Sequence, residues 1–328
     1  DNSEDVVNHG DITIKGNYDG SAYIAGFCYA ANNYTRPRHG NTGNITIDAK
    51  LQDALIVGSM YSYGQYGKTF SDCYNTGDIT VTENSEVGAS VYIGGMIGYF
   101  NSTSATYDYS NCYNSGNISF KGKSGLSTEA IPSTNFNPEH VICLGGLAAQ
   151  TRNNGTKIMN VTNGFKNSGK IEFTGNNVSG SVYIGGVVGD MLTPTTAWTG
   201  DIVNTGEIVC TGTAKNLRYA GGIFGKTAVG VANGVVYCDM NAPGVINSGM
   251  VMGSERSSSS LATNCKVGGS IMTTALGEDS DGNSVELHTK VDISAENFFN
   301  YIYGGDYTWP DTTYDGCTFL SVAPASVQ

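Results

Sequence analysis

Seven times along its 328 residues the chain repeats one phrase: an Asn, any residue, a Gly, and an apolar residue two places further on. The copies read NHGDITI from Asn8, NTGNITI from Asn41, NTGDITV from Asn75, NSGNISF from Asn114, NSGKIEF from Asn167, NTGEIVC from Asn204 and NSGMVMG from Asn247. Each is followed by a second signature: YIAGF at Tyr23, IVGSM at Ile56, YIGGM at Tyr92, CLGGL at Cys143, YIGGV at Tyr183, YAGGI at Tyr219 and KVGGS at Lys266. The copies start 33 to 53 residues apart, and a long insertion, around Lys121 to Val141, separates the two signatures of the fourth. A fixed pair of signatures at such spacing marks an array of structural units that become stable by stacking.

Alternation within each copy sets the element type. Ile79 and Val81 fall on one side of a strand, with Asp78 and Thr80 on the other. Ile12 with Ile14, Ile45 with Ile47, Ile118 with Phe120 and Ile171 with Phe173 repeat the inward pair. The spacing predicts a right-handed parallel β-solenoid, one rung per repeat with about three short strands each. The seven Asn residues are expected to form a hydrogen-bonded ladder at a sharp corner, with Asn and Gly supplying positive φ.

Repeats cover residues 1–284 in this reading, and residues 285–328 form a C-terminal cap over the open strand edges. Ser294 is expected to cap a short helix running to Ile302, with Trp309 and neighbouring aromatics as cover. The chain starts a few residues before the first repeat, so it is expected to be processed or trimmed from something longer.

Charge narrows the function classes. At a net charge of −12, with 17 Lys and Arg, a nucleic-acid or anionic-membrane partner is disfavoured, and no apolar run is long enough to insert in a bilayer. Cys28, Cys73, Cys112, Cys143, Cys210, Cys238, Cys265 and Cys317 contain no C-x-x-C pair and sit mostly in apolar runs, which favours buried thiols. Cys73 and Cys112 each precede a repeat Asn by two residues, making them the best-placed pair for a bridge, although parallel stacking spreads their β-carbons.

The runs GGMIG at Gly94, GGVVG at Gly185 and GGIFG at Gly221, with CYNTG at Cys73 and CYNSG at Cys112, resemble the GLUG-motif repeat of bacterial surface and secreted proteins. Ala25, Ser59 and Ser270 depart from that pattern in the first, second and last copies. The resemblance implies display outside the cell on adhesin-like polypeptides, and brings no catalytic residues or cofactor with it. Expected partners are a glycan or a host surface protein. The alternatives are a polysaccharide lyase or glycoside hydrolase on a β-helix, by fold analogy, and a structural spacer.

Several clusters are candidate sites. Tyr61, Tyr63 and Tyr66 follow the second signature of copy two, and Tyr99, Phe100, Tyr107 and Tyr109 that of copy three. Tyr61, Tyr63, Tyr99 and Tyr107 are the expected ligand-binding face; a cover for the solenoid edge is the other reading. Asp279, Asp281 and Asn283 resemble a calcium loop, but Gly282 stands too early for an EF-hand and a solvated turn serves equally. Arg36-Pro37-Arg38-His39 is the single basic cluster, and stacking of the first two rungs could bring His9 near His39.

Overall fold

A computed structural model describes residues 6–325 except 32–35, 65–67, 103–106, 128–139, 154–158, 162–163, 192–197, 200, 228–229, 245–246, 256–261 and 305–315. The protein is an all-β parallel solenoid, and the described residues contain no α-helix. One repeat makes one rung: Asn75 pairs directly with Asn41 on one side and Asn114 on the other. Each rung contains more strands than expected. The third alone runs through Tyr74–Asn75, Ile79–Val81, Glu86–Val87, Val91–Gly94, Ile97–Ser102 and Tyr107–Ser110.

These strands stack into four faces. The first carries the Asn-x-Gly phrase and its alternating strand. The second is built from the glycine-rich signature, in strands such as Leu55–Gly58, Val91–Gly94 and Val182–Gly185. A tight bend then leads to the third, with Tyr61–Gly64, Ile97–Ser102 and Val188–Met191 among its members. The fourth returns the chain to the start of the next rung. Ile45, Ile79, Ile118, Ile171 and Ile208 are register partners in series and wholly buried. At about 1.5–3 kcal/mol for each such side chain, this stripe contributes strongly to holding the rungs together.

The Asn ladder runs through the interior. Nδ2 donates to the next Oδ1 from Asn8 to Asn41 at 2.7 Å, Asn41 to Asn75 at 2.8 Å, Asn75 to Asn114 at 2.7 Å, Asn114 to Asn167 at 2.8 Å and Asn167 to Asn204 at 2.8 Å. In each rung the same Nδ2 also reaches the carbonyl of the Gly two residues on, as Asn75 does to Gly77 at 2.9 Å. Every buried amide in the column thus meets its partners along the stack.

The corner works differently from the positive-φ expectation. No ladder Asn has positive φ; Arg38, Asp72 and Asn111, each three residues earlier, carry it. The Gly is required by close approach, because a β-carbon on Gly77 would lie 2.0 Å from the Gly43 carbonyl oxygen. The second signature is tied to the first by the same logic. A β-carbon on Gly95 would lie 2.0 Å from the Gly146 oxygen and 2.7 Å from Asn114 Cγ, so the ladder amide packs against bare backbone across the rung.

The seventh copy departs from the expected phase, and Asn247 is not part of the ladder. Asn247-Ser248-Gly249 pairs with Tyr219-Ala220-Gly221 on the second face. Val236 takes the ladder position beside Asn204, in an unbroken strand Val235–Asn241. The KVGGS run moves with it, Lys266 and Val267 pairing with Val235 and Val236 on the first face. With Val236 buried there, the amide column ends on an apolar side chain.

At the C-terminal end, Lys266–Glu278 and Ser284–Asp292 form an antiparallel hairpin, and the boundary expected at 284/285 falls inside its second strand. Thr318–Phe319 adds a parallel strand against Lys266 and Val267. The amides of Met250 and Val251 donate to Tyr301 and Ile302 carbonyls at 2.6 and 2.9 Å, which closes the last rung. The expected helix is a single 3-10 turn, Phe298–Tyr301, with Asn297 at the N-cap and no side-chain cap bond; the Ser294 hydroxyl accepts from the Glu296 amide at 3.3 Å, one turn before it. Trp309 lies outside the described residues.

Candidate functional site

The tyrosines expected to form a binding face are interior. Tyr61 is 2 % exposed, Tyr63 8 % and Tyr99 0 %, so none of the three presents a ring to a ligand. The backbone of Tyr107 lies in a fourth-face strand, and its side chain is outside the described residues. Tyr61 joins the main core, while Tyr63 and Tyr99 belong to a second buried cluster with Tyr92, Tyr183 and Tyr219. That cluster fills a seam where the second and third faces fold together at the glycine bend. The Tyr92 and Tyr99 ring centres are 5.0 Å apart.

Along the third face the seam changes character from rung to rung. Tyr63, Tyr99, Gln150, Asp190 and Lys226 are successive register partners. Gln150 and Asp190 are fully buried, and Gln150 Nε2 donates to Asp190 Oδ2 at 2.8 Å. The Lys226 ammonium lies 4.9 Å from the centre of the Tyr219 ring, in cation–π range. Burial, with the Cys143 and Tyr99 groups beside it, pushes the Tyr92 phenol well above its ordinary pKa. Gln150 and Asp190 are wholly covered there, so their polar pair joins two packed faces. Sequence reasoning passed over Gln150, Asp190 and Lys226. Their signal was the fifth residue after the first Gly of the second signature, which reads Tyr, Tyr, Gln, Asp, Lys in copies two to six.

The remaining candidates also resolve into structure. Asp279 Oδ1 accepts from the backbone amides of Asp281 at 2.9 Å and Asn283 at 2.8 Å, and Asn283 Nδ2 reaches Oδ2 at 3.0 Å. The expected calcium loop is thus the turn of the hairpin, its lead carboxylate occupied by the turn's own donors. Among the described residues no group of three or more His, Cys, Asp or Glu converges as metal ligands. His9 pairs with Thr42 Oγ1 at 2.8 Å and His39 packs on Phe27, so the two histidines have separate environments. Arg38 occupies the positive-φ corner, and the side chain of Arg36 is outside the described residues.

Cys73 and Cys112 are stacked thiols without a disulfide between them, and Cys265 with Cys317 forms a second thiol pair at the capped end. Burial pushes the thiols of Cys210 and Cys238 up to about 12. Protonated thiols of this kind are inert core groups.

No protein-family profile, curated protein or solved structure matches this chain.

The face-to-face connections distinguish one edge of the rod. In all seven rungs the chain leaves the third face and re-enters at the fourth: Ala31 to Arg36, Gly64 to Lys68, Ser102 to Tyr107, Asn153 to Met159, Met191 to Trp198, Thr227 to Val231 and Glu255 to Ala262. The fourth-face strands form two sheets, Arg36–Pro37 to Met159–Val161 and Trp198–Thr199 to Ala262–Thr263, each in register within itself, as Lys68 with Tyr107 and Tyr107 with Met159. Of the Lys121 to Val141 insertion, 121–127 and 140–141 are described, and its described ends connect a first-face strand to a second-face strand.

Proposed function

We propose that this chain is a non-catalytic, extracellular binding module of adhesin type, in which the solenoid holds a row of variable segments along one edge. The observation that carries the reading is the constant framework of third- and fourth-face strands, between which the sequence runs for three to six residues that differ from rung to rung. Those intervals lie outside the strands that carry the Asn ladder and the isoleucine stripe, and repeat scaffolds separate binding from folding in this way. The resemblance to GLUG repeats supports display on a bacterial surface or in secretion, with a glycan or host surface protein as partner and no cofactor.

The Asp239 carboxyl at the capped end is a poor candidate for a general acid. The Ser270 hydroxyl, and then Lys290, hold the Asp239 carboxyl below its usual range, whereas a general acid needs its pKa raised. The spacer alternative draws on the burial of Tyr61, Tyr63 and Tyr99, which removes the aromatic face the sequence suggested.

The test replaces residues 103–106 and 154–158 by Gly-Ser segments of equal length. On arrays of glycans and host surface proteins, attachment should fall by roughly tenfold or more while the unfolding midpoint holds, as expected when contact residues leave a scaffold intact. Attachment by neither protein would favour the spacer. Glycan cleavage by the wild type, lost on changing one acidic residue, would replace this reading by the polysaccharide-degrading enzyme.

A further inference from the structure

The capped end carries a hollow on the outer side of the first face. Strand Val235–Asn241 turns Tyr237 and Asp239 outward, and their register partners in the next rung are Gly268 and Ser270. Gly268 sets no side chain beside Tyr237; a β-carbon there would lie 2.7 Å from the ring. The hairpin brings Asp292 and Ile293 along one side, and the terminal strand brings Phe319 and Leu320 along the other. Together they enclose about 220 Å³. The KVGGS run, which serves no corner of the second face, forms the floor.

The lining has two chemistries. Tyr237 and Leu320 offer apolar surface, while Asp239 and Asp292 offer carboxylate oxygens; Phe319, beside Val267, packs inward on the core. Ser270, 3 % exposed, donates to Asp239 Oδ1 at 2.6 Å, and Lys290 lies 3.3 Å from Oδ2, so this carboxylate is held in place. The Asp292 carboxylate has no partner among the described residues.

We propose that this hollow binds one pyranose unit of a glycan, the apolar face of the sugar ring lying on Tyr237 and against Leu320 and its hydroxyls donating to Asp239 and Asp292. Two carboxylates disfavour an anion, and the Lys290 ammonium already offsets the charge a divalent cation would need. The volume is below the roughly 300–1,000 Å³ of sites that enclose drug-sized ligands, which limits it to a single ring. The inference rests on the glycan-binding reading for its ligand class, but its site lies on a different face from the variable edge.

Titration of the full chain with a panel of methyl pyranosides, followed by calorimetry and amide chemical shifts, tests it. At least one sugar should bind saturably in the millimolar range expected for so small a contact, with shifts at Ser270 and Asp292. Asp292→Ala, at an exposed position, should weaken binding by roughly tenfold with an unchanged unfolding midpoint; Tyr237→Ala should do the same. No binding by any pyranoside, or binding unchanged in both variants, would overturn the proposal. So would a calcium titration that shifts the same amides and is abolished by Asp292→Ala, which would make the hollow a metal site. The protein with Gly-Ser at 103–106 and 154–158 should still bind the sugar. Loss of array attachment by that variant with pyranoside binding kept fits both readings, whereas wild-type attachment with no pyranoside binding sinks the hollow alone.

Discussion

Asn114 accepts from Asn75 and donates to Asn167 and to the Gly116 carbonyl, at 2.7, 2.8 and 2.9 Å, so its removal strands groups in two neighbouring rungs. Asn114→Leu should cost about 1–3 kcal/mol, read from urea unfolding, because buried amides lose their partners. Asn247→Leu should cost well under half of that, since Asn247 lies outside the ladder, and equal losses would refute the column. A steric test probes the bare backbone that packs on the column. Gly95→Ala places a β-carbon 2.0 Å from a backbone oxygen, while at Gly10 the nearest atom is 3.6 Å away. The first should cost about 2 kcal/mol or more and the second should be nearly neutral in unfolding midpoint. The Asn-x-Gly phrase was legible as a stacked corner, but its reason was not. Recurrence in one sequence shows which residue returns in each rung, whereas the need for Gly arises from the carbonyl of the rung below.

The hairpin Lys266–Glu278 to Ser284–Asp292 depends on a turn closed by one carboxylate. The Asn283 side chain, then its backbone amide, hold Asp279 below the ordinary carboxylate pKa. A lowered folded-state value means that the turn is favoured with Asp279 ionised: the gain is fully present above the unfolded value of about 3.9 and is lost as pH falls through the lowered one. Amide shifts of Asp281 and Asn283 should therefore move together toward open-turn values on acidification below about pH 4, and Asp279→Ala should show those values at neutral pH. Strand register was readable for six copies because each offers an Asn beside an inward apolar pair. It failed for the seventh because Asn247-Ser248-Gly249 keeps the letters of the first signature while Val251 and Met252 continue the pattern of the second. Val236, the residue that takes the ladder position, carries no trace of the phrase.

Seven rungs with two separate interiors explain why the architecture was easier to read than the surface. Alternation sorts Ile79 and Val81 from Asp78 and Thr80 correctly, since the first face has water on its outer side. On the second and third faces both sides are buried, so Tyr63, Tyr99 and Asp190 face away from the main core yet remain covered in the seam. A pattern of period two cannot distinguish such a seam from solvent. The distance spanned by equivalent corners tests the stacking of one rung per repeat. Asp11 and Glu207 stand three residues after the ladder Asn of the first and sixth copies, both exposed and five rungs apart. Spin labels on non-canonical residues at these two positions should give one narrow distance near 24 Å by pulsed electron resonance, five steps of about 4.8 Å. A distance near 48 Å, as two coils per repeat would require, or a broad distribution with no maximum, would contradict the solenoid described above.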